Sequence, residues 1–67
     1  MAIREARFRC MGTPDYGMLR EQISMLYGVT AMAIDPQNAG VIVDWEDTQI
    51  IPLRIELTLN AMGYQKL

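Results

Sequence analysis

The chain contains no histidine and a single cysteine, Cys10, among its 67 residues. One cysteine excludes a disulfide within the chain. The lack of histidine excludes a zinc site built from four Cys and His ligands of one copy. Catalysis that relies on an imidazole base is excluded for the same reason. The composition therefore favours a binding domain, and we expect no enzyme activity.

The chain also has little excess of charge of either sign. It contains six basic and eight acidic residues, and its net charge is −2. The densest cationic stretch consists of Arg4, Arg7 and Arg9, and Glu5 interrupts it. This pattern is typical of a solvated strand face rather than of a stripe that binds phosphates. Nucleic acid is therefore not an expected partner.

Long apolar runs are missing as well. No stretch approaches the ~20 residues that a membrane-spanning helix requires, and Arg4 comes before any signal-peptide core could form. A lone thiol suits a reducing compartment. We therefore expect no membrane insertion and a cytoplasmic location. Because 51% of the residues are hydrophobic, we predict one small folded domain over residues 1–67.

The N-terminal half shows two periodic segments. Residues 2–10 alternate between apolar and charged side chains, which predicts a half-buried strand. Thr13, Pro14 and Asp15 then match the start of a helix, with Thr13 as N-cap, the proline at the first helical position and the acid in the first turn. Gly28 is predicted to end that helix.

The C-terminal half contains two clear strand patterns and one ambiguous segment. Residues 29–35 and 41–45 alternate and predict two strands, joined by a turn over residues 36–40. Residues 51–62 fit both a strand and a helix, because their isoleucines and leucines satisfy either period. Residues 63–67 are predicted to form a short last strand.

Three landmarks occur in register along this order of elements. A Gly-Val pair precedes the second strand, an aromatic residue followed by an acid ends the third, and an apolar-Gly-Tyr sequence lies near the end of the chain. They are Gly28-Val29, Val41-x-Val43-x-Trp45 with Glu46, and Met62-Gly63-Tyr64.

With these landmarks, nearly the whole chain resembles the heavy-metal-associated domain family of copper chaperones and metal-transporting ATPase N-termini. The resemblance implies an α+β, ferredoxin-like βαββαβ sandwich, in which a four-stranded antiparallel sheet carries two helices on one face. It also implies that residues 52–62 form a helix rather than a strand.

The chain departs from that family at the metal-binding loop. The family's Met-x-Cys-x-x-Cys sequence falls on residues 10–15, where Gly12 and Asp15 replace the two cysteines and Cys10 replaces the methionine. Two thiolates of such a motif suit a soft ion such as Cu(I), and one thiolate cannot replace them. Metal carriage in the family's manner is therefore not expected, and we expect no cofactor.

The preferred hypothesis is a protein-interaction or adaptor module. Its partner would be a protein, such as a transporter or a fused or neighbouring domain. Exposed methionines form adaptable docking surfaces, and the rewritten loop lies beside several of them. The predicted partner-binding residues are Cys10, Met11, Gly12, Thr13, Pro14, Asp15, Met18 and Met25.

The alternative hypothesis is binding or trafficking of Cu(I) or another soft metal. Cys10 would act with Met11, or with Cys10 of a second chain in a homodimer. The competing interpretation of Cys10 is a small buried apolar residue beside Phe8.

Two further features leave alternatives open. Asp44, Glu46 and Asp47 could hold a hard cation, or they could be a solvated strand end. Leu53 and Leu57 would form a contact surface if both are exposed, or they would complete the edge of the core.

Overall fold

The alternating N-terminal segment forms a strand in the computed structural model, which describes residues 2–67. Six regular elements follow one another along the chain, with a short 3₁₀ turn at Pro36–Asn38 between the second and third strands. The elements are β1 (Ile3–Cys10), α1 (Tyr16–Ser24), β2 (Val29–Asp35), β3 (Gly40–Glu46), α2 (Pro52–Ala61) and β4 (Tyr64–Lys66).

The four strands form one antiparallel sheet in the order β2-β3-β1-β4. β1 and β3 are therefore central, and β2 and β4 are the edges. Together with the two helices, this topology confirms the ferredoxin-like α+β fold that the sequence predicted. None of the helices within residues 2–67 has the length and apolar character needed to cross a bilayer.

The core lies between the helices and one face of the sheet, which we call the helix-covered face. On β1, Ala6, Phe8 and Cys10 are buried, whereas the residues between them are exposed. This period of two arises because successive strand side chains point to opposite faces. Arg7 and Arg9 therefore lie on the opposite, open face, as the alternation predicted.

The segment that fitted both periods forms α2, and the choice of a helix is confirmed. Pro52 occupies its first turn, where a missing N–H costs no helical hydrogen bond. Ile55 and Leu59 are four residues apart and are both buried, which places them on one side of the helix.

The predicted start of α1 is wrong by two residues. Asp15 rather than Thr13 is the N-cap, since its Oδ1 accepts a hydrogen bond of 3.0 Å from the Met18 N–H. Aspartate is at least as good an N-cap as threonine, and its negative charge favours the positive end of the helix dipole. Pro14 therefore lies in the loop, where its fixed φ is equally well tolerated.

The predicted end of α1 also differs. The helix ends at Ser24 with Met25 as its C-cap, and Gly28 follows three residues later with a φ of 103°. Gly28 thus makes the turn into β2 rather than closing the helix. The turn predicted over residues 36–40 is shorter than expected, because Gly40 already belongs to β3.

Candidate functional site

The loop between β1 and α1, residues 11–15, is tied to the sheet at its first residues. The Cys10 N–H donates to the Ala39 carbonyl and the Met11 N–H donates to the Gly63 carbonyl, each at 2.9 Å. At its other end Asp15 caps α1. The loop therefore has anchored ends, while Met11, Gly12 and Thr13 are exposed.

Cys10 is at the edge of this loop but points away from it. Its side chain is 8% exposed and belongs to the same core cluster as Phe8. In the β1–β4 pairing it stands opposite Tyr64, another buried residue. Met11 is exposed, so the two sulfur-bearing side chains that the metal hypothesis combines lie in different environments.

The hydroxyl of Tyr64 lies beneath the loop without a hydrogen-bond partner among residues 2–67. Burial raises the pKa of Tyr64 above its ordinary value, and the neighbouring ionisable groups of Cys10, Tyr16 and Asp15 raise it further. The landmark Met62-Gly63-Tyr64 singled out this tyrosine by sequence. Only the packing of β4 against β1 places its hydroxyl beside Cys10 and the loop.

The methionines of the predicted surface are exposed but spread over two places. Met18 and Met25 are 51% and 72% exposed, and their spacing of seven residues sets them on one side of α1. Met11 instead lines a groove between α2 and β4, beside Gly63 and Asn60. Met18 and Met25 do not line that groove. The predicted surface therefore has two parts.

In the acidic cluster, Asp47 and Glu46 have partners among the described residues, whereas the buried Oδ1 of Asp44 has none. Asp47 Oδ2 lies 3.2 Å from Arg4 Nε, and the Ala2 N–H donates to its Oδ1 at 3.2 Å. The hydrogen bond from Ala2 and the Arg4 guanidinium hold the pKa of Asp47 below its usual value. Glu46 is buried and accepts a hydrogen bond of 3.0 Å from the Thr48 hydroxyl. The partners of Asp47 and Glu46 favour a strand end over a cation site, but the burial of Glu46 differs from the solvated strand end that was expected.

A second exposed apolar surface lies on α2. Leu53 and Leu57 are both exposed, and Ile51 lies beside them. The two leucines therefore do not complete the core, and the interpretation of a contact surface remains for them.

The arrangement does not fit a soft metal held by two thiolates. The chain has one cysteine, and its side chain is buried. In the part of the chain that the structure describes, no three Cys, Asp or Glu side chains are grouped so that they could hold a metal ion. The loop therefore offers exposed backbone and side chains at residues 11–13, next to the thioether side chain of Met18.

Comparison of the sequence with known proteins gives no match to a family model and none to a curated protein. Comparison of the structure gives a match to oxidised MerP from Ralstonia metallidurans CH34, with a TM-score of 0.77 over 98% of this chain and 96% of that chain. The two proteins share the ferredoxin-like α+β fold. At 14% sequence identity, this likeness establishes the fold alone.

Replacing Tyr64 with phenylalanine is expected to raise the free energy of unfolding by about 1 kcal/mol, because a buried unpaired hydroxyl is removed. Chemical denaturation at neutral pH measures this change. The gain should grow above pH ~10, where tyrosine ionises in the unfolded chain. The raised pKa of Tyr64 in the folded state means that the parent chain loses stability as pH rises through this range.

The matched control is Tyr27→Phe, which removes a hydroxyl from a tyrosine that is largely exposed. Its free energy of unfolding should change by less than about 0.5 kcal/mol. A Tyr64→Phe chain less stable than the parent would contradict the assignment, since it would mean that the hydroxyl makes a favourable contact.

Proposed function

We propose that this domain is a protein-interaction module that docks a partner through the exposed side of the β1–α1 loop and the adjoining methionines of α1. The proposal takes the partner to be a protein and the domain to have no catalytic activity. Its docking surface is defined by residues 12–15 with Met18 and Met25, since Met11 lines the separate groove beside α2 and β4, and we call it the methionine surface.

The observation that supports the proposal most directly is the exposure of Met18 and Met25. Leu19, Ile23 and Leu26 supply the buried side of this region, so neither methionine is needed to close the core. Moving an exposed thioether side chain out of water is favourable because the side chain is largely apolar. Its three rotatable bonds also allow it to adapt to the shape of a partner. Contact with a protein would bury both.

The rewritten loop supports the same function. Gly12 and Asp15 stand where the heavy-metal-associated family has its two cysteines, and Asp15 instead caps α1. The carboxylate at the second cysteine position is therefore used to order the helix. The scaffold is retained while the ligands are not, which favours a surface role for the loop.

The soft-metal alternative is less well supported by the positions of its donors. Cys10 is buried and Met11 is exposed, so a metal held by both would require the end of β1 to open. A bridge between two copies through Cys10 would require the same opening in each copy. No observation favours that rearrangement.

We expect the double variant Met18→Glu/Met25→Glu to lose its partner while keeping its fold. Two charges on the methionine surface must be desolvated on docking, which costs far more than the lost apolar contact. The measurement is formaldehyde cross-linking in the native cell, which acts through amino groups and not through the substituted side chains, followed by affinity purification of the chain and quantitative mass spectrometry of the captured protein. Circular dichroism of the purified variant verifies the fold.

The matched control is Leu53→Glu/Leu57→Glu, which adds the same two charges to the other exposed apolar surface, on α2. A partner lost in the methionine variant and kept in the leucine variant supports the proposal. The reverse result would move the docking site to α2. Equal loss in both variants would show that capture depends on net charge and not on a surface.

A competition titration with Cu(I) tests the alternative separately. We expect no one-to-one complex tighter than the micromolar range, because a single buried thiolate is a poor substitute for two. Tight binding that disappears in Cys10→Ser would overturn the proposal in favour of metal handling.

A further inference from the structure

The two edges of the sheet differ in how they are protected. β4 is three residues long, and its Lys66 ammonium lies 3.5 Å from Glu56 of α2. A short strand and a charged side chain are common devices that keep an edge from pairing with another chain. β2 is seven residues long, and residues 29–34 carry no charge. Residues 31–34 of its outer edge therefore present unpaired backbone groups without either device, and the charged Asp35 follows at the end of the strand.

One irregularity interrupts this edge at its start. The pairing with β3 shifts between Val29 and Ala31, and the Thr30 hydroxyl donates to the Asp44 carbonyl at 3.3 Å. From Ala31 to Asp35 the pairing is regular. Five residues at ~3.3 Å each give about 17 Å of straight edge, which is the length of an ordinary strand. The bulge therefore limits where an added strand begins but leaves room for one.

A groove runs beside this edge on the helix-covered face. Arg20, Ile23 and Ser24 of α1 form one wall and residues 29–32 form the other. Its volume of about 240 Å³ is below the ~300 Å³ at which pockets for whole small molecules begin. The groove fits side chains instead. A strand added to β2 would direct every second side chain into it.

We propose that the β2 edge accepts an extended peptide strand of a partner protein, with apolar groove-facing side chains and one acidic side chain beside Arg20. Ile23 and Met32 supply an apolar lining for the groove-facing side chains of the added strand. Among the described residues, no carboxylate lies within 4 Å of the Arg20 guanidinium. A carboxylate on the added strand would give this cation a partner.

A second copy of the chain matches the groove less well. Met32 stands opposite the buried Val43 and so faces the helices, whereas Asp35, three positions later, faces the open side of the sheet. Pairing two β2 strands about a two-fold axis would bring no β2 carboxylate into the groove. Both copies of Arg20 would lie on the same side of the joined sheet. Charge therefore favours an acidic strand from another protein.

This edge is separate from the methionine surface. At 3.6 residues per turn, Arg20 and Ser24 project from one flank of α1 and Met18 from the other. A partner on one surface leaves the other free, so loss of binding at β2 and loss at the methionines are distinguishable.

The test uses the acetylated and amidated heptapeptide Glu-Ser-Val-Ser-Val-Ser-Glu as probe. Its odd positions share one face, which presents two valines between two glutamates, so either strand direction can place a glutamate beside Arg20. Titration into the isotope-labelled chain is followed by NMR. We expect saturable amide shifts in residues 31–35 and 20–24, slower hydrogen exchange in β2, and no change in β4. A probe with lysine in place of both glutamates should bind about three-fold more weakly, which is the size of one exposed ion pair.

Two controls isolate the backbone and the charge. A probe N-methylated at the first valine and at the serine that follows it loses a donor on both edges of the strand, so it should not bind in either strand direction. The exposed variant Arg20→Glu should reverse the preference between the glutamate and lysine probes. Absence of shifts in β2 at millimolar probe, or equal binding of the methylated probe, would overturn the proposal. A dimer of the chain alone, detected by sedimentation and with slower hydrogen exchange in β2, would also overturn the proposal. The occupant of the edge would then be a second copy of the chain.

Discussion

Replacing Phe8 with alanine is expected to lower the free energy of unfolding by about 3–5 kcal/mol. Phe8 is 1% exposed, lies on the central strand β1 and stands opposite Val41 of β3. The aromatic ring therefore contacts the core from the middle of the sheet, and its loss leaves a cavity that the neighbouring strands cannot close. A chain of 67 residues has only about 3–10 kcal/mol of stability in total. Most or all of it should be lost.

The measurement is urea denaturation followed by Trp45 fluorescence, since Trp45 is buried in the same core. Ile3→Ala is the matched control because Ile3 is also on β1 but is 57% exposed. It should change the free energy of unfolding by less than about 1 kcal/mol. Equal denaturation midpoints for the two variants would mean that the core is not organised around β1.

Replacing Gly28 with alanine is expected to cost about 3 kcal/mol or more, through two effects that add. Its φ of 103° lies where side chains of L-amino acids are strained. A Cβ on Gly28 would lie 2.8 Å from Ile50 Cγ2 and 2.9 Å from Gln49 Cβ. Ile50 is buried, so it cannot move aside without disturbing the core. The turn from α1 into β2 should therefore shift or open.

Gly12→Ala is the matched control for this substitution. A Cβ at Gly12 meets no atom within 4 Å, and Gly12 has no positive φ. We expect its free energy of unfolding to stay equal to that of the parent or to rise by up to about 1 kcal/mol, because alanine restricts the unfolded chain. Thermal denaturation of both variants measures the difference. Similar losses in the two variants would contradict the description of the Gly28 turn.

The strand pattern was strongest in β1, which has one buried and one exposed face, and weaker in β2, whose residues are intermediate or exposed. The alternation in residues 2–10 and 29–35 depends only on the geometry of an extended backbone, and both strands form. Residues 51–62 could not be assigned by period, since a short run rich in leucine and isoleucine satisfies both templates. The resemblance in the order of elements decided it, and α2 forms at Pro52–Ala61.

Local capping was harder to predict. Thr13 and Asp15 are both good N-caps, and two sequence rules conflict here, because aspartate ranks above threonine whereas a proline at the first helical position favours Thr13. The choice depends on which side chain reaches a free backbone N–H, and Asp15 reaches that of Met18. The position of Gly28 was also hard to predict. It makes the turn into β2 instead of ending α1, and its positive φ and close approach to Ile50 are visible only in the folded chain.

The candidate site was predictable in part. The lack of a second thiol and the exposure of a loop rich in small residues follow from the sequence. The separation of Met11 from Met18 and Met25 does not, because it depends on how β4 and α2 pack beside the loop. The groove at the β2 edge carries no sequence motif. It arises because strand order places β2 outermost and α1 beside it.

By itself, the sequence determined the strand patterns of β1, β2 and β3 and the presence of a single thiol, because both depend only on which side chains are present and at what period they recur. The ferredoxin-like α+β fold was predicted from the order of elements through a resemblance, and the structure confirms it. Only the tertiary structure decided that Cys10 faces the core and that β2 is an unprotected edge. The reason is that burial and edge position arise from contacts between residues distant in sequence, such as Cys10 with Tyr64.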